Sequence, residues 1–353
     1  MSNVKSQPRY ALLDLIRYVA AMMVALMHWG LEIGAEKFHG ILRIPIFGFL
    51  IQNGGLGVDI FFLISGYVII ETAQKKDSLD FLIARFRRLF PGLFISMTII
   101  LIVGSHFIMP YRSPFKSFFN SIFLTFSATG VQPLASQLWT LVYEAKFYGA
   151  IALLLLVVPR VFKSQRKIIT LLVLWQILIA LLESAPFHLS VPFLSLGHYG
   201  SLFALGICIN FLGKLSMDNY LTAFMVILVT VYFIGTTFFT GNYSQNQSLL
   251  LGIFAILIGI SNRITFGQGT TRVAGYLGLA SYLIYLLHVH VGMTLLNIFQ
   301  AHGSPGLVYS LILTLVTITL LSIFLALFIE KPLQGMINKN LIRVRARLPR
   351  MLG

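Results

Sequence analysis

Cysteine is nearly missing from this chain. The one thiol, Cys208, lies in an apolar run, which excludes a disulfide framework and a cysteine metal site and leaves a buried structural thiol as its reading. Acid is scarce as well, with 11 Asp and Glu against 26 Lys and Arg, and charged residues of both signs make up only 10% of the 353 residues. A chain so poor in charge and 57% hydrophobic cannot cover a soluble core with polar groups, so soluble fold classes are excluded and a polytopic membrane protein is read instead. No repeat of about 20–50 residues and no low-complexity tract is visible. The first apolar segment is broken by Asp14 and Arg17 and lacks a small-residue cleavage site, so it reads as a retained helix rather than a removed signal peptide.

What is present is a series of apolar runs. Ten are long enough to cross a bilayer, at about 12–31, 56–74, 89–109, 137–158, 167–184, 193–213, 219–240, 246–262, 274–298 and 306–329. The expected fold class is therefore all-α, a polytopic integral membrane protein of about ten transmembrane helices. The 111–135 stretch, bounded by Pro110, Pro114 and Pro133, is read as a re-entrant or interfacial outer segment. A net charge of +15 is of the sign that nucleic acid attracts, but its distribution decides against that partner. Apart from Arg17 and Lys146, which fall inside spans, 20 basic residues sort to one side and only Lys37, Arg43, Arg112 and Lys116 to the other. The positive-inside rule then makes both termini cytoplasmic, and the basic excess serves topology and anionic lipid.

The stretch that organises the rest is LLDLIRYVAAMMVALMHWG, residues 12–30, an oily helix with Arg17 near one end and His28 near the other. Eleven helical steps make about three turns, so both side chains emerge on one face about 16 Å apart along the axis. Asp14, three residues before Arg17, can pair with the guanidinium. The bland alternative is that Arg17 snorkels while His28 caps the opposite end.

Other ionisable groups in apolar surroundings follow in order. Asp59 opens the second span, where a carboxylate faces a partner or a wet cavity, and Ser65-Gly66 falls near its middle, where a buried serine beside a packing glycine is common. Arg85 and Arg88 lie one turn apart ahead of Pro91, read as a basic pair at the start of a helix, suited to phosphate or equally to lipid headgroups. Glu144 and Lys146 enter the fourth span at a depth similar to His28. They point to different faces, which leaves Glu144 a partner for something else. Glu183, His188 and His198 fit interfacial packing, and Asn242, Gln245, Asn246 and Gln247 line an outer loop. In the ninth span Ser281, Tyr285 and His288 follow at one-turn spacing, while His290 points elsewhere and reads as structural.

Taken together, LDLIRYVAAMMVALMH, GVDIFFLISGYVI, Arg85-x-x-Arg88 before Pro91, LWTLVYEAKFY, LGLASYLIYLLH and the closing FIEKP resemble the membrane acyltransferase family 3, whose opening signature is R-x10-H. The resemblance runs from end to end. It implies one membrane acyltransferase domain over 1–353, with a core at about 12–332 and a basic cytoplasmic tail at 333–353, in a bacterial inner membrane. It also implies transfer of an acyl group, most often acetyl, from cytoplasmic acyl-CoA to a hydroxyl of a carbohydrate or lipid-linked glycan, with no tightly bound cofactor and no metal. By motif, His28 is the expected base, Arg17 its paired arginine, and Arg85 and Arg88 the basic pair. Many relatives append an extracytoplasmic SGNH hydrolase-like domain that is not read here, which leaves any second transfer step to be dispensed with or done by a partner. The 111–135 stretch matches nothing assignable.

The chemistry of the residues agrees with that expectation. Acyl-CoA is anionic at its nucleotide end and apolar at its thioester, so it suits a basic mouth leading into an oily channel. A histidine deeper in the channel can accept the proton of the attacking hydroxyl. Glu144 is the carboxylate expected to hold the imidazole's other nitrogen. The expected catalytic set is thus His28, Arg17 and Glu144, and the substrate-binding set Arg85, Arg88, Asp14, Asp59, Ser65, Ser281, Tyr285 and His288. The partners are acyl-CoA, the glycan acceptor and membrane lipid, without nucleic acid. The alternative from another class is a transporter or flippase, for which paired repeats or interrupted helices are the signature, and none is visible.

Overall fold

The computed structural model describes residues 10–32, 45–107, 113–184, 196, 198–214, 224, 227–231, 234–235, 243–301 and 306–339. Several expectations lie outside them: residues 33–44 of the outer loop expected at 31–55, with Glu36 and His39, His188, Asn242, most of the expected span at 219–240, and the tail from 340, while the end of that loop is helical at Pro45–Gln52. Among the described residues the fold is helical, with no strand.

In chain order the helices are α1 (Ala11–Glu32), α2 (Pro45–Gln52), α3 (Leu56–Ala73), α4 (Ser78–Phe107), α5 (Pro114–Ile122), α6 (Phe126–Thr129), α7 (Trp139–Val157) and α8 (Gln165–Ser184). Then come α9 (His198–Leu212), α10 (Gln245–Ile260), α11 (Gln268–Leu287), α12 (Met293–Ala301) and α13 (Leu307–Leu325). Two π-helical turns, His288–Gly292 after α11 and Ala326–Glu330 after α13, interrupt the regular pattern. Six segments are long and apolar enough to cross a membrane: Ala11–Gly30, Leu56–Ala73, Ser78–Val103, Ser136–Val157, Gln268–Gln300 and Leu307–Lys339. These match six of the ten expected spans, and α9 and α10 contain shorter apolar helices at the positions of two more.

The third span departs from its expected start at residue 89. Its helix begins at Ser78 and passes through Pro91. Asp77 caps it, its carboxylate accepting the Asp80 backbone N–H at 2.7 Å. Arg85 and Arg88 therefore sit inside a helix, and the positive end of a helix N-terminus contributes nothing to them. Proline is tolerated within apolar helices whose freed carbonyl finds another partner. Similarly, Gln245, Asn246 and Gln247 are not loop residues but the first turn of α10. Ser244 and Gln247 form a reciprocal capping box there, with bonds of 3.3 and 3.0 Å.

The chain forms two compact units. The first comprises 1–20, 55–82 and 140–275, and is built on the crossing of α3 and α9. A Cβ on Gly66 would lie 2.1 Å from the Phe203 carbonyl oxygen, and one on Gly206 2.1 Å from that of Leu63. Only glycine on both helices allows this approach, so Gly66 is the packing residue its sequence context suggested. Phe203 fills the space beside them, stacked on Phe147 at 3.9 Å and edge-on to Phe62 at 5.0 Å. Lower on the same crossing Lys214 pairs with Glu71 at 2.9 Å, and Asn210 donates to the Tyr67 carbonyl at 3.0 Å. Cys208 is buried in this core, as its apolar setting implied.

The second unit comprises 21–54, 83–139 and 276–353. Trp29 is fully buried at its centre. A Cβ on Gly292 would lie 2.6 Å from the Trp29 ring, so the glycine of the first π-helical turn makes room for the indole. The 113–135 stretch folds onto this unit as two short helices joined by a turn, where Ser121 Oγ accepts the Leu134 N–H at 2.8 Å. Phe118 of α5 meets Phe94 edge-on, partway along α4. Phe115, Phe119 and Phe123 stay exposed, an apolar face on a helix too short to cross a bilayer.

Candidate active site

Helix α1 is continuous from Ala11 to Glu32 and carries both Arg17 and His28. In the first unit Asp14 is buried and its carboxylate lies 3.6 Å from Arg17. The pairing anticipated from the three-residue spacing is formed.

The same unit brings together two more of the expected residues. Glu144 Oε1 accepts from Ser65 Oγ at 3.0 Å and from the Tyr148 hydroxyl one turn further along α7. Ser65, expected in the substrate-binding set, thus donates to the carboxylate. Asp59 is buried near the start of α3 beside Tyr243, in the loop before α10. Burial, together with the nearby Asp59 carboxylate, pushes the Tyr243 phenol up from its ordinary value. Tyr199 extends this group, packing on Phe62 at 4.7 Å and Tyr143 at 5.1 Å. The Lys146 ammonium lies over the Tyr143 ring at 5.3 Å.

In the second unit His28 packs against His288, their ring centroids 5.1 Å apart and tilted by 45°. His288 is fully buried. Its Nδ1 lies 2.6 Å from the Tyr285 carbonyl oxygen, and its own carbonyl accepts Trp29 Nε1 at 2.8 Å. Tyr285 donates to the Gln137 carbonyl at 3.3 Å, and Gln137 Nε2 returns a bond of 2.7 Å to the Leu286 carbonyl. The segment leading into α7 is thereby stitched to the end of α11 beside the histidines. Ser281, expected on the same face, turns to its own helix and donates to the Gly278 carbonyl at 2.8 Å.

Arg88, also in the second unit, is held on two sides. Its guanidinium lies 3.9 Å from Glu330 and over the Tyr282 ring at 5.7 Å. Glu330 is fully buried and also receives Gln334 Nε2 at 2.9 Å, and Tyr282 donates to the Leu89 carbonyl at 3.1 Å. Neither Glu330 nor Tyr282 was singled out as a site residue from sequence. The signal for the first was its place in the closing FIEKP motif, a lone carboxylate at the end of an apolar run.

Among known proteins, a family model described as an acyltransferase domain matches residues 10–331. The chain belongs to that family, the membrane acyltransferase family 3. It is similar to an O-acetyl transferase of Shigella phage Sf6, 44% identical over 82 residues, which are 23% of this chain and 22% of the relative. It is also similar to the peptidoglycan O-acetyltransferase OatA of Listeria monocytogenes, 31% identical over 119 residues, 28% of this chain and 19% of the relative. The chain thus spans about a fifth of the length of the curated relatives it matches. No solved structure matches.

Proposed function

We propose that this protein is a membrane-bound O-acyltransferase that moves an acyl group, most often acetyl, from cytoplasmic acyl-CoA to a hydroxyl of a cell-surface carbohydrate. The observation that carries the reading is the Arg17-x10-His28 signature set on one unbroken helix, with His28 packed against a second, buried histidine. Family membership and the names of the two relatives support acyl transfer to oxygen. They support it over a transporter or flippase. The strong excess of basic residues on one side supports cytoplasmic termini and entry of the donor from that side. The setting is the inner membrane of a bacterium.

The reaction needs a base for the acceptor hydroxyl, a route for an anionic donor and a means of tolerating charge in an oily site. His28 takes the hydroxyl proton as the oxygen attacks the thioester carbonyl and returns it to the departing thiolate, direct transfer that needs no acyl-enzyme. Arg17, its charge balanced by Asp14, and Arg85 meet the phosphates of the donor. Glu144, oriented by Ser65 and Tyr148, is the further carboxylate of the set, and Asp59 with its tyrosines belongs to the acceptor's side. Incubating purified protein with radiolabelled acetyl-CoA and a cell-envelope fraction should place the label on carbohydrate hydroxyls, released by mild base. Label retained only on CoA, or appearing on amines, would count against the proposal.

A further inference from the structure

His288 is the buried group that the reaction as described leaves without a task, and its surroundings give it one. A carbonyl oxygen only accepts hydrogen bonds, so the 2.6 Å contact with the Tyr285 carbonyl fixes the proton of the neutral ring on Nδ1. The lone pair is then on Nε2. That nitrogen is buried and has no hydrogen-bond partner among the described residues. An acceptor buried without a donor is costly, and a fold relieves that cost unless the group has a use. The ring is presented from a π-helical turn, His288–Gly292, a local irregularity frequent at functional sites. Trp29, the residue next to His28, locks that turn through its bond to the His288 carbonyl, and Gln137 holds the turn before it. The ring packed against His288 is that of His28, 5.1 Å away between centroids, a separation at which ring nitrogens turned toward one another reach hydrogen-bonding distance.

We propose that His288 is a positioning residue for His28: its Nε2 lone pair, fixed by the Nδ1 bond to Tyr285, accepts the N–H of His28 as His28 becomes an imidazolium. The inference rests on His28 being the base. The balance is simple. The acceptor O–H bond breaks, its proton goes to His28, the ester C–O bond forms and the thioester C–S bond breaks. The His28 proton then ends on the CoA sulfur. His288 gains and loses no proton. It selects the His28 tautomer whose free nitrogen faces the hydroxyl, and it steadies the charge while the tetrahedral intermediate exists, the role that a third group plays behind other catalytic histidines.

Two substitutions separate this role from a structural one. In His288→Asn the amide nitrogen takes the place of Nδ1 and keeps the bond to Tyr285, but nothing remains at the position of Nε2. In His288→Gln the amide oxygen reaches the Nε2 position. With purified protein and radiolabelled acetyl-CoA, His288→Asn is expected to lower kcat on the order of 10²-fold with the KM for acetyl-CoA within twofold of wild type. His288→Gln should recover to within about tenfold of wild type. Two patterns overturn the proposal: equal, near-normal kcat in both variants, or equal loss in both with weakened acetyl-CoA binding. His28→Ala is run beside them. If it keeps turnover, the base assignment itself falls and this proposal with it, whereas an inactive His28→Ala with a normal His288→Asn removes only the role of His288. Should neither His288 variant fold, nitrogen NMR of wild-type protein labelled at histidine decides. The expected signature is a neutral ring protonated at Nδ1, and a His288 protonated at Nε2 would overturn the proposal.

Discussion

Arg85 and Arg88 look equivalent in the sequence, two arginines one turn apart before a proline, and the fold makes them different. Arg88 is the counter-charge of a fully buried carboxylate, Glu330, and stacks on Tyr282. Removing one partner of such a pair leaves a buried charge uncompensated, a loss of about 3–5 kcal/mol where both groups are buried and less here because Arg88 is partly exposed. Arg88→Ala is therefore expected to lower the unfolding temperature in detergent, and adding Glu330→Gln to recover part of it. Arg85→Ala should raise the KM for acyl-CoA. A stable Arg88→Ala protein defective only in acyl-CoA binding would return the two arginines to one shared role. Asp14 and Arg17 obey the same logic within a single helix. Arg17→Ala removes the counter-charge 3.6 Å from the buried Asp14 carboxylate, so stability and donor binding should fall together, in contrast to a clean loss of turnover in His28→Ala.

At the scale of elements, the crossing of α3 and α9 depends on two missing side chains. With backbone oxygens 2.1 Å from the Cβ positions of Gly66 and Gly206, no rotamer change can admit a methyl group, and the helices have to part. Gly66→Ala should cost at least the 1–3 kcal/mol typical of overpacking, read as a lower unfolding temperature, while Gly213→Ala, whose nearest neighbour is 3.5 Å away, should be tolerated. Equal stability of the two variants would mean that the crossing is looser than described. Several elements were legible because their physics is local. Apolar runs gave α1, α3, α7 and α13 nearly in place and most of the span that runs through α11, the π-helical turn and α12, and the three-residue spacing gave the Asp14–Arg17 pair. The start of α4 was missed because the apolar run that marks the span begins only near residue 89, although the Asp-Ser-Leu-Asp run carries the cap signal. The π-helical turn at His288 was not legible at all. It arises from the fit of Gly292 beneath Trp29, a contact between residues more than 250 positions apart. For the same reason the sequence suggested that His288 shares a face with Tyr285 and Ser281 but not that it meets His28.

For the whole molecule, the charge asymmetry makes a statement about sidedness that the helices by themselves do not. Single cysteines introduced at Ser244 and at Ser164, in a background with Cys208 replaced by Ser, should react with a membrane-impermeant maleimide from the outside and the inside respectively. Labelling of both from one side would overturn the inside-out alternation deduced from the basic residues. What the sequence conveyed at this scale was the class: a chain too apolar for water, with too few acids to balance its bases, and six ordered motifs of one acyltransferase family, which the match over residues 10–331 bears out. The division into two compact units, with α1, α4 and α11 each contributing residues to both, was beyond it, because no composition shift or linker marks where one unit ends. All of this leads to one side chain. The most direct measurement is single-turnover transfer of radiolabelled acetyl from CoA to envelope carbohydrate by purified His28→Ala and wild-type protein, with acetyl-CoA binding determined on the same preparations. The expected result is a rate lower by a factor on the order of 10² to 10⁴ with binding unchanged. A rate near that of wild type would contradict the assignment of His28 as the base.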